Sequence, residues 1–367
     1  MESKKSHQDI LGIHHITAIA GNPQKNIDFY TGFLGLRLVK LTVNFDDPTT
    51  YHFYYGDDIG RPGTILTFFP WQYMSKGFKG TGQVVTTSFL IPESATEYWV
   101  NRLKNHGIDF TGPIKRFDNE EQVITFYDTD GLELELVAHK IAEERKNHVW
   151  KKGPIPEDYA TRGFYSATLS LEGYERTAAL LTENMGFSKI KNEGNRFRFE
   201  IKNKEKIIDD FYSNKQKTEN NLLETLSTVV DIVCLPYTQR GSMGVGTVHH
   251  IAWRTPTDES QTVMRKKIIN TGLDATPVID RTYFHSVYFR EPGGILFEIA
   301  TDPPGFMVDQ KNEDLGQKLL LPAWLESDRK YLEKVLPKVT APALDKFSSL
   351  SASSATSSSA TSSIKET

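Results

Sequence analysis

Apolar and polar residues alternate over short runs through most of this chain, and single helical stripes interrupt the runs at regular intervals. The first run, "GIHHITAIA" (12–20), alternates with period two and predicts a half-buried strand. After it, "NPQKNIDFYTGFLG" sets Ile27, Tyr30, Phe33 and Leu34 on one helical face, with Asn22 suited to cap the helix and Pro23 to its first position. Three strand-like segments follow, "RLVKLTVNF", "TYHFYYGD" and "GTILTFFPW", rich in Val, Thr, Tyr and Phe and separated by Asp, Pro and Gly. The unit reads βαβββ.

The same order restarts at "VVTTSFLIP" (84–92), "GFYSATLSL" (163–171) and "VHHIAWRTP" (248–256), so four units begin near residues 11, 84, 163 and 246. In the third unit the later strands are expected in "SKIKNEGNRFRFEI" and "KIIDDFYSN". Grouping neighbours in the chain predicts an N-terminal extension (1–10), a domain of two units (11–139), a polar connector (140–162) and a second domain of two units (163–302). A C-terminal segment (303–345) and a Ser/Ala/Thr-rich tail (346–367) complete it. The tail has too little apolar content to pack, so disorder is expected there and truncation after Lys346 should be silent.

Composition narrows the partners. A net charge of -4 on 367 residues gives no general attraction to nucleic acid or an anionic membrane, which leaves small molecules. Cys234 is the one cysteine, so an intrachain disulfide framework and a cysteine-rich zinc site are excluded. The start "MESKKSHQDI" lacks the apolar core of a secretory signal, and no apolar run approaches the roughly 20 residues of a membrane span. A cytoplasmic protein is expected.

The candidate chemistry lies in two doubled histidines, His14–His15 and His249–His250. Strand alternation puts His14, Ile16, Ala18 and Ala20 on one face and His15 and Thr17 on the other. It likewise separates His249, Ile251 and Trp253 from His250, Ala252 and Arg254, and Phe297 and Ile299 from Glu298. His15, His250 and Glu298 thus point to the polar interior, and Tyr288 joins them if its strand is a paired neighbour. Two imidazoles and a carboxylate on rigid strands make the facial triad that holds iron(II) and leaves sites for substrate and oxygen. A histidine in a strand is more often structural. Against that, only the first strands of units one and four carry histidine.

These segments, with "FYTGFLGLRLVKLTVNFDDP", "YHFYYGDDIGRPGTILTFFPW" and "DRTYFHSVYFREPGGILFEIATDPPGF", resemble the vicinal oxygen chelate (glyoxalase/bleomycin resistance/extradiol dioxygenase) superfamily. The likeness is nearest to its bacterial ring-cleaving, hydroquinone-type dioxygenases. It implies an α+β fold in which βαβββ units pair into open mixed β-barrels around a metal. It also implies iron(II), with manganese(II) the other option, on His15, His250 and Glu298, an aromatic hydroquinone or catechol substrate, and dioxygen. Near-site roles carry over to His14, His249, Tyr288 and Arg281, Tyr288 as proton donor or hydrogen-bond partner and His249 as a second acid–base group. For His14 and His249 to reach the pocket, their strands must be twisted or bulged. Arg281 either orients substrate or pairs with its neighbour Asp280.

Two further readings stay open. Glu135 holds the place in unit two that Glu298 holds in unit four, and a second glutamate beside two histidines would suit a metal-dependent glyoxalase-type isomerase or lyase. A non-catalytic small-molecule binder is the other. His52 lies in the first unit's sheet and could face the same pocket, but one histidine among aromatics is more often structural.

Overall fold

A computed structural model describes residues 10–201 and 227–348. The first unit supplies β1 (Ile13–Ala20), β2 (Arg37–Asn44), β3 (Asp47–Gly56) and β4 (Ile65–Pro70), and the second β5 (Gln83–Ile91), β6 (Phe110–Arg116), β7 (Glu121–Tyr127) and β8 (Glu133–Ala138). The third gives β9 (Phe164–Leu171), β10 (Phe187–Glu193), β11 (Arg196–Ile201) and β12 (Val229–Cys234), and the fourth β13 (Val248–Thr255), β14 (Ile279–Asp280), β15 (Phe284–Arg290) and β16 (Leu296–Pro304). Within each unit the fourth strand lies parallel to the first, across a helical connection. Asn22 caps the first helix through Lys25 N at 2.9 Å, Pro23 follows it, and Ile27, Tyr30, Phe33 and Leu34 are all buried. This helix widens to i→i−5 bonding over Asp28–Phe33.

Two open, curled eight-stranded mixed sheets result, and they are nested. One runs β14-β15-β16-β13-β1-β4-β3-β2 and joins units one and four; the other runs β10-β11-β12-β9-β5-β8-β7-β6 and joins units two and three. The sequential grouping into 11–139 and 163–302 therefore misassigns the partners. Alternation identifies a strand's faces but carries no label for its neighbour. The links do: residues 71–82 and 235–247 pair with each other through Lys76–Val245, Phe78–Ser242 and Thr81–Arg240 bridges, so both cross between the sheets at one place. Segment 140–162 joins two units of the same sheet.

Apart from His14 and His249, face assignments match the alternation. Ile16, Ala18, Ile251, Trp253, Phe297 and Ile299 belong to the main apolar core under the helices. In the third unit, "KIIDDFYSN" lies outside the described residues, and the closing strand is "VVDIVC" (229–234). Among the described residues no helix is long and apolar enough to cross a membrane.

The expected tail boundary moves. Residues 349–367 lie outside the described part, but Asp345–Ser348 is helical. The Phe347 ring stacks on His106 and fills the space that a side chain on Gly32 would need, and its carbonyl accepts from Arg102 Nη1 at 2.9 Å. Truncation after Lys346 is thus expected to cost about 1 to 2 kcal/mol, seen as a lower melting temperature than that of a chain ending at Ser348. Equal melting temperatures would show that the docked ring contributes nothing.

Candidate metal centre

The register between β1 and β13 slips twice, and each slip falls on a histidine. Ile13 faces Trp253 but His15 faces Ala252, which makes His14 an extra residue in β1. Thr17 faces His250 but Ala18 faces Val248, which makes His249 an extra residue in β13. Each bulge turns the first histidine of its pair toward the second, so neighbours that a regular strand would set on opposite faces come together. The Nδ1 atoms are 2.9 Å apart in His14–His15 and 2.7 Å apart in His249–His250.

The second histidines meet Glu298 at the centre of this sheet. His15 Nε2 and His250 Nε2 lie 3.3 Å apart and stand 3.3 and 3.0 Å from Glu298 Oε2. Glu298 is fully buried, and its Oε1 accepts from Ser286 Oγ at 2.6 Å. Its Oε2 has no hydrogen-bond donor of ordinary geometry among the described residues. An orphaned buried carboxylate oxygen facing two imidazole nitrogens is costly without a cation. The separations suit adjacent ligands of one ion with bonds of roughly 2.1 Å, which lie about 3.0 to 3.4 Å apart. These three are the group of His, Cys, Asp and Glu side chains that could hold a metal ion among the described residues.

The charge states agree. Burial raises the Glu298 carboxyl, but His15 and His250 outweigh it and hold the group well below the usual range, so it is ionised. Burial lowers His250, against the pull of Glu298. His14 is held well below the usual value by burial and by His15, and His249 is lowered to about 3 by burial and by His250. The lowered His14, His249 and His250 are held as neutral rings, which keep a lone pair. If both ligand Nε2 atoms offer theirs to a cation, the ring hydrogens of His15 and His250 sit on Nδ1 and are accepted by Nδ1 of His14 and His249.

A cavity of about 500 Å³ opens on the cluster. His15, His250, His249, Tyr288 and Arg281 line it. His14 does not; it packs behind His15 against Phe284. Tyr288 pairs with Glu298 in register, and its ring meets His250 edge-on. Burial and the nearby Glu298 charge raise its hydroxyl, opposed by Arg281, so the phenol is protonated at neutral pH. The Arg281 guanidinium sits over the Tyr288 ring and binds Asp46 of the opposite unit at 2.9 and 3.2 Å. Its expected partner Asp280 instead accepts from Thr282 N.

His52, read as structural, also lines the cavity, bonded to Tyr54 OH at 2.8 Å and Thr67 Oγ1 at 2.9 Å. Phe45, Phe69, Trp71 and Phe284 complete an aromatic lining that the reading of motifs missed. Ser286, which holds Glu298, shares a strand face with Tyr288 by the alternation of β15, and that phase is the signal that could have found it. Glu135 stands apart in the other sheet, bound by Arg116 at 2.7 and 3.2 Å and by Ser88 Oγ at 2.8 Å.

Residues 12–136 match the model of the glyoxalase/bleomycin resistance protein/dioxygenase superfamily. A Bacillus subtilis protein named "Putative ring-cleaving dioxygenase MhqO" is 45% identical over 326 residues, covering 89% of this chain and 96% of that protein. The chain belongs to this superfamily. A solved Bacillus subtilis structure, 43% identical, superposes with a TM-score of 0.81 over 92% of this chain and 99% of that one. The chlorohydroquinone/hydroquinone 1,2-dioxygenase of Sphingobium indicum is 28% identical, covering 86% of this chain and 93% of that protein. The superfamily fold and the sheet geometry agree.

Proposed function

We propose that this chain is a metal-dependent dioxygenase that cleaves the ring of a hydroquinone- or catechol-type substrate, with iron(II) its metal and manganese(II) the alternative. The observation that carries the reading is the His15, His250 and Glu298 cluster, whose two histidines line an aromatic-walled cavity with Glu298 buried behind them. Bound there, iron(II) would supply an electron path between a ring phenolate and dioxygen, which a closed-shell ring and triplet oxygen lack.

The chain's own residues supply the rest. Phe45, Tyr54, Phe69 and Phe284 offer flat faces to a ring. Tyr288 stays protonated and donates its hydroxyl hydrogen to a substrate oxygen, with Arg281 against its ring to fix its place. His249 gives its Nδ1 to His250 and keeps Nε2 for a ligand in the cavity. His14, out of reach of the cavity, acts through His15 as a positioning residue. The glyoxalase-type reading needs a second glutamate beside the histidines, and the candidate, Glu135, is clamped by Arg116 in the other sheet.

Oxygen uptake with hydroquinones and catechols under iron(II) tests the proposal. Consumption of about one dioxygen per ring cleaved is the stoichiometry expected of a dioxygenase acting by this route. Conversion of a glutathione hemithioacetal without oxygen uptake would overturn it. Tyr288→Phe keeps the ring and removes only the hydroxyl, so turnover is expected to fall about 10 to 1,000-fold at unchanged metal content. Wild-type turnover in that variant would return Tyr288 to a structural role.

A further inference from the structure

A second cleft, of about 810 Å³, lies against the ring-binding cavity. Tyr51, Pro70, Met74, Met243 and Val335 line it, while Trp71 and Asp47 line both spaces. The sheet itself is the wall between them. Side chains alternate along β3 and β4, so His52 and Phe69 face the cavity whereas their neighbours Tyr51 and Pro70 face the cleft. The wall ends with β4 at Pro70, and Trp71 is the next residue.

Trp71 is held across that end. Its Nε1–H donates to Asp47 Oδ2 at 2.9 Å, and the same carboxylate accepts from Thr49 and Thr50 hydroxyls at 2.8 and 2.7 Å. On the cavity side its ring packs against Phe69 and His249, with centroids 5.1 and 6.2 Å away. Two hydroxyls fix the carboxylate, the carboxylate fixes the indole, and the indole stands between the cavity and the cleft.

We infer that Trp71 is a specificity-determining residue that limits the size of the ring substituent by partitioning the cavity from the adjoining cleft. The inference rests on the ring-cleavage reading for its substrate class. A ring whose oxygens point to the Glu298 floor carries any substituent directed at the rim against the indole, so small groups fit and long or aryl groups do not. Removing the indole joins the two spaces and gives such groups an apolar place to lie.

The test compares wild type, Trp71→Ala, Trp71→Phe and Asp47→Ala on hydroquinone, hexylhydroquinone and phenylhydroquinone by oxygen uptake under iron(II). The quantity read is kcat/KM for the large rings divided by that for hydroquinone. It is expected to rise about 10 to 200-fold in Trp71→Ala, the range that shape selection in an apolar pocket provides. Trp71→Phe, which keeps a plate in the gap, should stay near wild type, and Asp47→Ala, which frees the indole, should fall between. An unchanged ratio in Trp71→Ala, or a wild type that already accepts phenylhydroquinone as well as hydroquinone, overturns the partition. Absence of oxygen uptake with every ring counts against ring cleavage alone. Anaerobic titration calorimetry with the same three hydroquinones then decides the partition. A rise in relative affinity for the large rings in Trp71→Ala supports it, and the wild-type ratio or no binding by either protein overturns it.

Discussion

Replacing His15 or His250 with alanine is expected to yield a folded protein that loses its metal on dialysis, while His14→Ala and His249→Ala keep theirs. The first pair of changes leaves two ligand atoms where three converge within 3.3 Å. Two ligands hold a divalent ion of the labile first row poorly. Glu298→Gln should resemble them, because the amide keeps the shape and removes the charge that balances the ion. His14 and His249 touch the ligands through Nδ1 only, so their loss frees a ligand ring to turn and weakens metal affinity by about 10 to 100-fold without emptying the site. Metal content after dialysis against a fixed iron(II) or manganese(II) concentration reads the order directly. Retention of stoichiometric metal by His250→Ala together with its loss from His14→Ala would invert the assignment.

Arg198→Met is expected to be the most destabilising single change in the other sheet, by about 3 to 5 kcal/mol. The guanidinium binds Glu121 at 2.8 and 3.1 Å and Asp231 at 2.7 and 2.8 Å, and both carboxylates are buried, with 1% and 0% of their surface exposed. Methionine fills much of the volume but leaves Asp231 with Arg196 alone, at 3.1 Å, and Glu121 with Arg116 alone, at 3.9 Å, in a dry interior. The loss corresponds to roughly 4 to 6 °C in melting temperature for a chain of this size. Adding Glu121→Gln and Asp231→Asn should recover part of it, since the cost lies in buried carboxylates left short of positive charge. Metal content should not change. A shift under about 2 °C would mean that water or rearrangement satisfies the carboxylates.

Much of the site was legible because period-two alternation states which side chains share a face. That is enough to put His15, His250, Glu298, Ser286 and Tyr288 together once their strands are neighbours. The bulges were legible only as a conflict, in that His14 and His249 had phase against them and roles implied for them. A register slip leaves no mark in composition. Partner choice was illegible for the same reason. Asp46 and Trp71 reach the cavity from a turn and from the end of a strand, where no periodicity constrains direction, and Arg281 crosses the cavity to Asp46 when its neighbour Asp280 was the visible candidate.

The correspondence between the sheets explains why a fourfold repeat yields one cluster of ligands among the described residues. Counting from the register, the place of Glu298 opposite Ala252 is taken by Glu135 opposite Ser88, by Asp231 opposite Thr168 and by Thr67 opposite Thr17. The places of His15 and His250 are taken in the other sheet by Thr86 and Ser166. Acidic groups persist there without imidazoles, and Arg116 and Arg198 supply the positive charge.

Nesting also sets the order in which a growing chain can finish its two halves. Units two and three are contiguous from Gln83 to Cys234, so their sheet has all its strands while the fourth unit is still unmade. β1, synthesised first, must wait for β13 and β16, synthesised last. His15 meets His250 at a sequence separation of 235, and Glu298 comes later still. A nascent or prematurely ended polypeptide therefore displays one sheet complete and the other with an open edge at β1, and brings His15, His250 and Glu298 together only as synthesis nears its end.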